Sequence, residues 1–145
     1  MFTVQQSVTI QRPVSDVFAF VADPVNIPRW RPDVVETKAA GKALQLGGRF
    51  DEVINFGGRK AQTFEVTKLQ PNTSLEVTAV AGLGIRPVQS YTFTAANGQT
   101  TMTICVQVRT QGLFRLMEPL LPRMIAAKWR GYAKRLREVM SSTQT

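Results

Sequence analysis

The sequence predicts an α+β domain. A curved antiparallel sheet of six to seven strands wraps around a long C-terminal helix, with two short helices after the first strand and an internal cavity. Three observations lead there. Segments rich in Val, Thr and Ile, separated by hairpin-type turns, occupy most of residues 34–110. Helical periodicity appears only before Trp30 and again beyond about Leu113. An antiparallel sheet of this many strands cannot stay flat, so it curls and leaves a trough in which one long helix can lie. That helix fills only part of the trough, and the two short helices would plug one end of the remainder.

Each element has a local reason. "FTVQQSVTIQ", Phe2 to Gln11, has strand composition. Pro13 suits a first helical position, and Val14, Val17, Phe18 and Val21 follow at helical spacing. Pro24 and Pro28 punctuate a second short helix that ends at Trp30. "DVVETKA" reads as a strand, and three more follow before Gly82, turning at Gly57-Gly58 and at Pro71-Asn72-Thr73. Asn97-Gly98 is a strong hairpin signal between the last two strands. Pro119 and Pro122 place the start of the continuous helix at about Pro122. Residues 1–140 form a single domain with no repeat or linker, and 141–145 are expected to be a disordered tail.

Composition narrows the chemistry. The chain has 145 residues, one cysteine and no histidine. Ser–His–Asp and Cys–His catalysis, His-rich metal sites and an internal disulfide are therefore excluded. Neither a metal nor a cofactor is expected. "MFTVQQSVTIQRP" lacks the layout of a signal peptide, and no apolar run reaches the length of a membrane span, so a cytoplasmic location is the default expectation. The net charge of +8 is spread along the chain apart from "KWRGYAKRLRE". A solvated helix face accounts for that run, and weak contact with an anionic surface is its functional alternative; no specific nucleic acid is implied.

"RPVSDVFAFVADPVNIPRWRPDVVE" resembles the start of the polyketide cyclase/dehydrase and lipid-transport family of the START/Bet v 1-like (SRPBCC) superfamily. The Pro-led helix, "VFAFVAD" and the Trp closing the second helix carry the likeness. "LGGRFDEV", "FEVTKLQPNTSLEV", "YTFTAANGQTTMTICVQV" and "RGYAKRLREVM" extend it over nearly the whole chain. The resemblance implies a helix-grip fold with a hydrophobic cavity between sheet and long helix. Members bind lipids, hormones, polyketides or other apolar molecules, and some cyclise or dehydrate them. It brings no invariant catalytic set onto this chain.

Trp30 sits where that family's second helix crosses the cavity end, either as a core anchor or as a stacking surface for ligand. Lys128 falls among Leu121, Met124, Ile125, Tyr132 and Val139 on the long helix, opposite Arg123, Arg130, Lys134 and Arg137. A lysine on an apolar face must reach water, pair with an acid or meet a polar group of a ligand. Glu52 shares a strand face with Phe50, Ile54 and Phe56 and is its candidate partner, unless an edge or bulge turns it outward. Tyr91 and Tyr132 offer hydroxyls, and Cys105 faces away from the apolar set around it. "AGLGIRP" suits a loop at the cavity mouth. A pocket of several hundred Å³, walled by Trp30, Phe50, Phe64, Tyr91, Met124, Ile125 and Lys128, is expected.

The leading function is binding of a hydrophobic or amphipathic small molecule, lipid or polyketide-like, without catalysis. The alternative is a cyclase or dehydratase that moves a proton with Lys128, Glu52 or Tyr91. A third reading is an interaction module at an anionic membrane or RNA surface through the basic C-terminal helix. The protein is expected to be a monomer or homodimer.

Overall fold

The computed structural model describes residues 1–39, 44–55, 57–82, 85–110, 112–117 and 119–142, with the side chains of Ala39, Leu113, Phe114 and Ser142 left aside. Strand β1 (Phe2–Ile10) leads to helix α1 (Val14–Val21), a 3₁₀ turn at Pro24–Asn26 and helix α2 (Ile27–Trp30). Six strands follow: β2 (Val34–Ala39), β3 (Arg49–Asn55), β4 (Arg59–Gln70), β5 (Ser74–Ala81), β6 (Ile85–Ala96) and β7 (Gln99–Thr110). A 3₁₀ stretch, Gly112–Met117, precedes the long helix α3 (Leu121–Ser142). Helix α3 thus starts one residue before Pro122 and continues beyond Met140, into the segment expected to be a tail. Phe56, Leu83 and Gly84, which the sequence reading placed on the apolar face of β3 and in the mouth loop, lie outside the described residues.

The seven strands form one antiparallel sheet in the order β1-β7-β6-β5-β4-β3-β2. This order explains the early helices. β1 lies at one edge and β2 at the other, so the chain between them must cross the whole sheet. It crosses as α1 and α2, with α1 against β6 and β7 and α2 against β2 and α3. The crossing closes one end of the curl.

Local signals act where the backbone needs them. Asn97 and Gly98 both take positive φ, 53° and 76°, as a type I′ hairpin requires, and Ala96 pairs with Gln99. Asn72, at φ 60°, turns β4 into β5. Gly82 (φ 124°) has a second constraint, because a Cβ there would lie 2.7 Å from the Ala61 carbonyl oxygen and 2.9 Å from the Gln62 Cα. Gly82→Ala is therefore expected to cost about 2 kcal/mol or more, through strain and backbone collision together. Urea melts check this, and an unchanged midpoint would show that the strand ends yield.

Alternation divides the sheet into two faces. Phe50, Phe64, Val66, Val77, Phe93, Met102, Ile104, Val106 and Val108 are buried on the inner face, with Phe50 stacked on Phe64 at 5.6 Å. Cys105 is half-buried, on the opposite side of β7 from Ile104 and Val106. On α3 the buried residues are Leu121, Trp129, Tyr132, Ala133, Leu136 and Met140. At about 100° per residue this face centres roughly 80° round from Lys128, towards Trp129 and Leu136. Lys128 lies at its edge and Met124, 47% exposed, beyond it. Arg123, Arg130, Lys134 and Arg137 are exposed.

Candidate functional site

The site begins at the end of α2. Trp30 is buried against Tyr91 and Trp129, with ring centroids 6.2 Å from each. The next residue, Arg31, leaves the helical conformation at φ -117°, ψ 85° and is buried beside Trp30. Its guanidinium is held between the charge of Glu52 and two aromatic rings. Nη1 donates to Glu52 Oε2 at 2.9 Å and Nη2 donates to Glu52 Oε1 at 3.2 Å. The guanidinium carbon lies 5.0 Å from the Trp129 ring centre and 5.7 Å from that of Tyr132. A planar fork that is bidentate to a carboxylate and stacked on aromatics is an arginine arrangement that lysine cannot reproduce. Gln89 Oε1 accepts from the Tyr91 hydroxyl at 2.8 Å and more weakly from Arg31 Nη1 at 3.5 Å. Burial is the largest single influence and would lower the Arg31 pKa, but Glu52, by charge and hydrogen bond, together with Tyr91 and Tyr132 outweighs it, and the group is held above its ordinary value. Burial pushes the Tyr91 hydroxyl well above the ordinary phenol range.

A second polar cluster stands at the surface end. Asp33 Oδ2 accepts from the Tyr132 hydroxyl at 2.8 Å and from the Lys128 ammonium. Burial would raise the Asp33 pKa, but the hydrogen bonds from Lys128 and Tyr132, with the nearby Lys128 and Arg31 charges, bring it below the usual carboxylate range. Tyr132 is pushed up by burial first and by Asp33 in addition. The sign for stability follows. A carboxyl with a depressed folded-state pKa adds stability above its unfolded value of about 3.9 and loses it as the pH falls through the folded pKa. Asp33→Asn should therefore narrow the stability gap to wild type as the pH drops from about 5 towards 2. Melting temperatures of both proteins across that range check this; a constant gap would mean the carboxylate charge contributes nothing.

Between these clusters lies a cavity of about 110 Å³, partly open to solvent. Its apolar walls include Ile54, Ile85, Val106, Val108, Leu121 and Ile125; Arg31, Asp33, Gln62, Gln89, Lys128 and Tyr132 supply polar groups. Gln62 is turned away from full availability because its Nε2 donates to the Ile85 carbonyl at 2.9 Å.

Several expectations are corrected here. Met124, Ile125, Lys128 and Tyr132 line the cavity, whereas Trp30, Phe50, Glu52, Phe64 and Tyr91 do not. Phe50 and Phe64 pack together in the core, and Trp30 and Tyr91 belong to the aromatic cluster. The cavity is smaller than several hundred Å³ because that cluster and Arg31 fill the inner end of the trough. Glu52 does point inward and is 1% exposed, but its partner is Arg31, and Lys128 pairs with Asp33 instead. The sequence reading missed Arg31, Asp33 and Trp129. One signal was present: an acid on an apolar strand face calls for a cation, and Arg31 directly follows a tryptophan expected to be buried.

Comparisons with other proteins agree with this architecture. A START superfamily protein from Mycobacterium smegmatis superimposes with a TM-score of 0.81 at 13% identity, over 98% of this chain and 99% of that one. The structure of Ara h 8.0201 gives 0.71 at 15% identity, over 98% of this chain and 99% of that one. DynU16, encoded in the dynemicin biosynthetic locus, gives 0.72 at 19% identity, over 98% of this chain and 48% of that one. At such identities these likenesses establish the helix-grip fold alone. No match was found among curated proteins. Among the described residues no helix is long and apolar enough to cross a membrane. Residues 1–141 match the family described as polyketide cyclase/dehydrase and lipid transport. With that match over almost its whole length, and with the sheet, long helix and intervening cavity just described, the chain belongs to the polyketide cyclase/dehydrase and lipid transport family.

Proposed function

We propose that the protein binds a hydrophobic or amphipathic small molecule in the cavity between sheet and α3, without catalysing its conversion. The observation that carries this reading is an apolar-walled cavity with a hydrogen-bonded charged cluster, Lys128–Asp33–Tyr132, on its rim. A volume of about 110 Å³, below the roughly 150 Å³ of a cavity that takes up benzene, suits a short branched chain or the end of a longer apolar ligand. The remainder of a larger ligand would leave past Met124, whose exposure marks the mouth. Family membership and fold support a ligand-binding role of this kind. The polar groups are poorly matched to proton transfer at neutral pH. Asp33 is held ionised and weakly basic, while Tyr132 is held protonated. This disfavours a cyclase or dehydratase that moves its proton through Asp33 or Tyr132.

Mass spectrometry of whatever co-purifies with the protein tests the reading first. Titrations followed by tryptophan fluorescence test it second, because Trp129 lines the cavity. A short fatty acid and a neutral apolar probe should both bind. Lys128→Met should weaken the fatty acid by about tenfold while sparing the neutral probe, as expected for one lost charged hydrogen bond. Absence of any saturable signal from either probe would sink the proposal. Equal affinity in wild type and variant would remove Lys128 from the site.

A further inference from the structure

We propose a second binding site, for a phosphate-type oxyanion, on the outer face of the sheet. Arg86 on β6 and Arg109 on β7 are register partners, directly opposite each other across the ladder. Side chains so placed have Cβ atoms about 5 Å apart, and like charges there repel. Four arginines, Arg12, Arg31, Arg49 and Arg59, reach a carboxylate. Among the described residues no ion pair involves Arg86 or Arg109.

A second, independent observation is that Arg86 Nη1 is buried with no hydrogen-bond acceptor. A buried charged donor without an acceptor is costly, and such an orphan calls for a missing partner. The two arginines border a depression of about 500 Å³ on the side of the sheet remote from the long helix, together with Thr78, Val80, Val88 and Gln107. None of the six is acidic. Two planar guanidinium forks beside a hydroxyl and an amide form a donor set that matches the oxygens of a phosphate group. Val80, 38% exposed, and Val88 add an apolar flank. The recognised chemistry is therefore a phosphate group, carried either by a soluble molecule or by a lipid headgroup at a membrane surface.

Inorganic phosphate at constant ionic strength is the first probe, read by amide chemical shifts. Saturable shifts should appear on the outer-face residues of β6 and β7. Arg86→Gln and Arg109→Gln should each weaken phosphate by about tenfold, while Arg130→Gln, on the exposed face of α3, should leave it unchanged. Without phosphate both sheet variants should melt no lower than wild type, because the repulsive pair is gone. The second probe is sedimentation with phosphatidylcholine vesicles, with and without phosphatidic acid. Arg86-dependent binding to the acidic vesicles alone assigns the site to a lipid headgroup, and response to free phosphate alone assigns it to a soluble ligand. The proposal is overturned if neither probe binds, or if all three variants weaken binding equally, which would report net charge rather than a site.

Discussion

Replacing Arg31 with methionine should lower the melting temperature by about 10 °C or more, equivalent to ~3–5 kcal/mol in a chain of this size. The change leaves Glu52, 1% exposed, with no cation to balance its carboxylate. It also removes the guanidinium from between Glu52 and the Trp129 and Tyr132 rings. Arg31→Lys should recover little of the loss, because a point charge reproduces neither the bidentate geometry nor the stacking. The double variant Arg31→Met/Glu52→Leu discriminates between causes. If the stranded charge dominates, the double variant should regain most of the wild-type stability, since hydrophobic replacement of a buried ion pair is often neutral or better. A double variant as unstable as the single one would place the loss in packing against Trp129. Calorimetry on wild type, Arg31→Met, Glu52→Leu and the double variant completes the cycle.

Val108→Phe should weaken ligand binding by about sixtyfold with little effect on folding. Val108 is 1% exposed on β7 and lines the cavity, so an added ring has about 110 Å³ into which to turn. Displacing a ligand from ~100 Å² of apolar wall removes roughly 2.5 kcal/mol, so affinity should fall by about sixtyfold. Stability should change by less than ~1.5 kcal/mol, because the extra volume enters empty space rather than a packed core. Fluorescence titration and urea melts together give the answer. Binding preserved in a stable variant would place the ligand elsewhere and remove the basis for the proposed function. A strongly destabilised variant would mean that the cavity walls cannot admit a ring.

The elements and their order are legible along the chain before any folding is considered. Helix and strand follow from periodicities of 3.6 and 2, and turns such as Asn97-Gly98 demand backbone angles that few residues adopt. These are local properties, readable wherever neighbouring residues carry them. Alternation along β3 set Glu52 on the apolar face, but an edge or a bulge turning it outward stayed open until the fold buried it. Which charges meet depends instead on packing between elements distant in sequence. Counting residues round α3 gave an apolar arc, but its rotation against the sheet depends on packing Trp129 and Leu136 into the trough. That rotation, roughly 80° from Lys128, moves the lysine from the interior to the rim, where Asp33 accepts its hydrogen bond. Arg31 and Glu52 lie on elements that touch only because the chain crosses the sheet between β1 and β2. The cavity's size was likewise undecided until the aromatic cluster closed, because a void is what remains when side chains distant in sequence have packed.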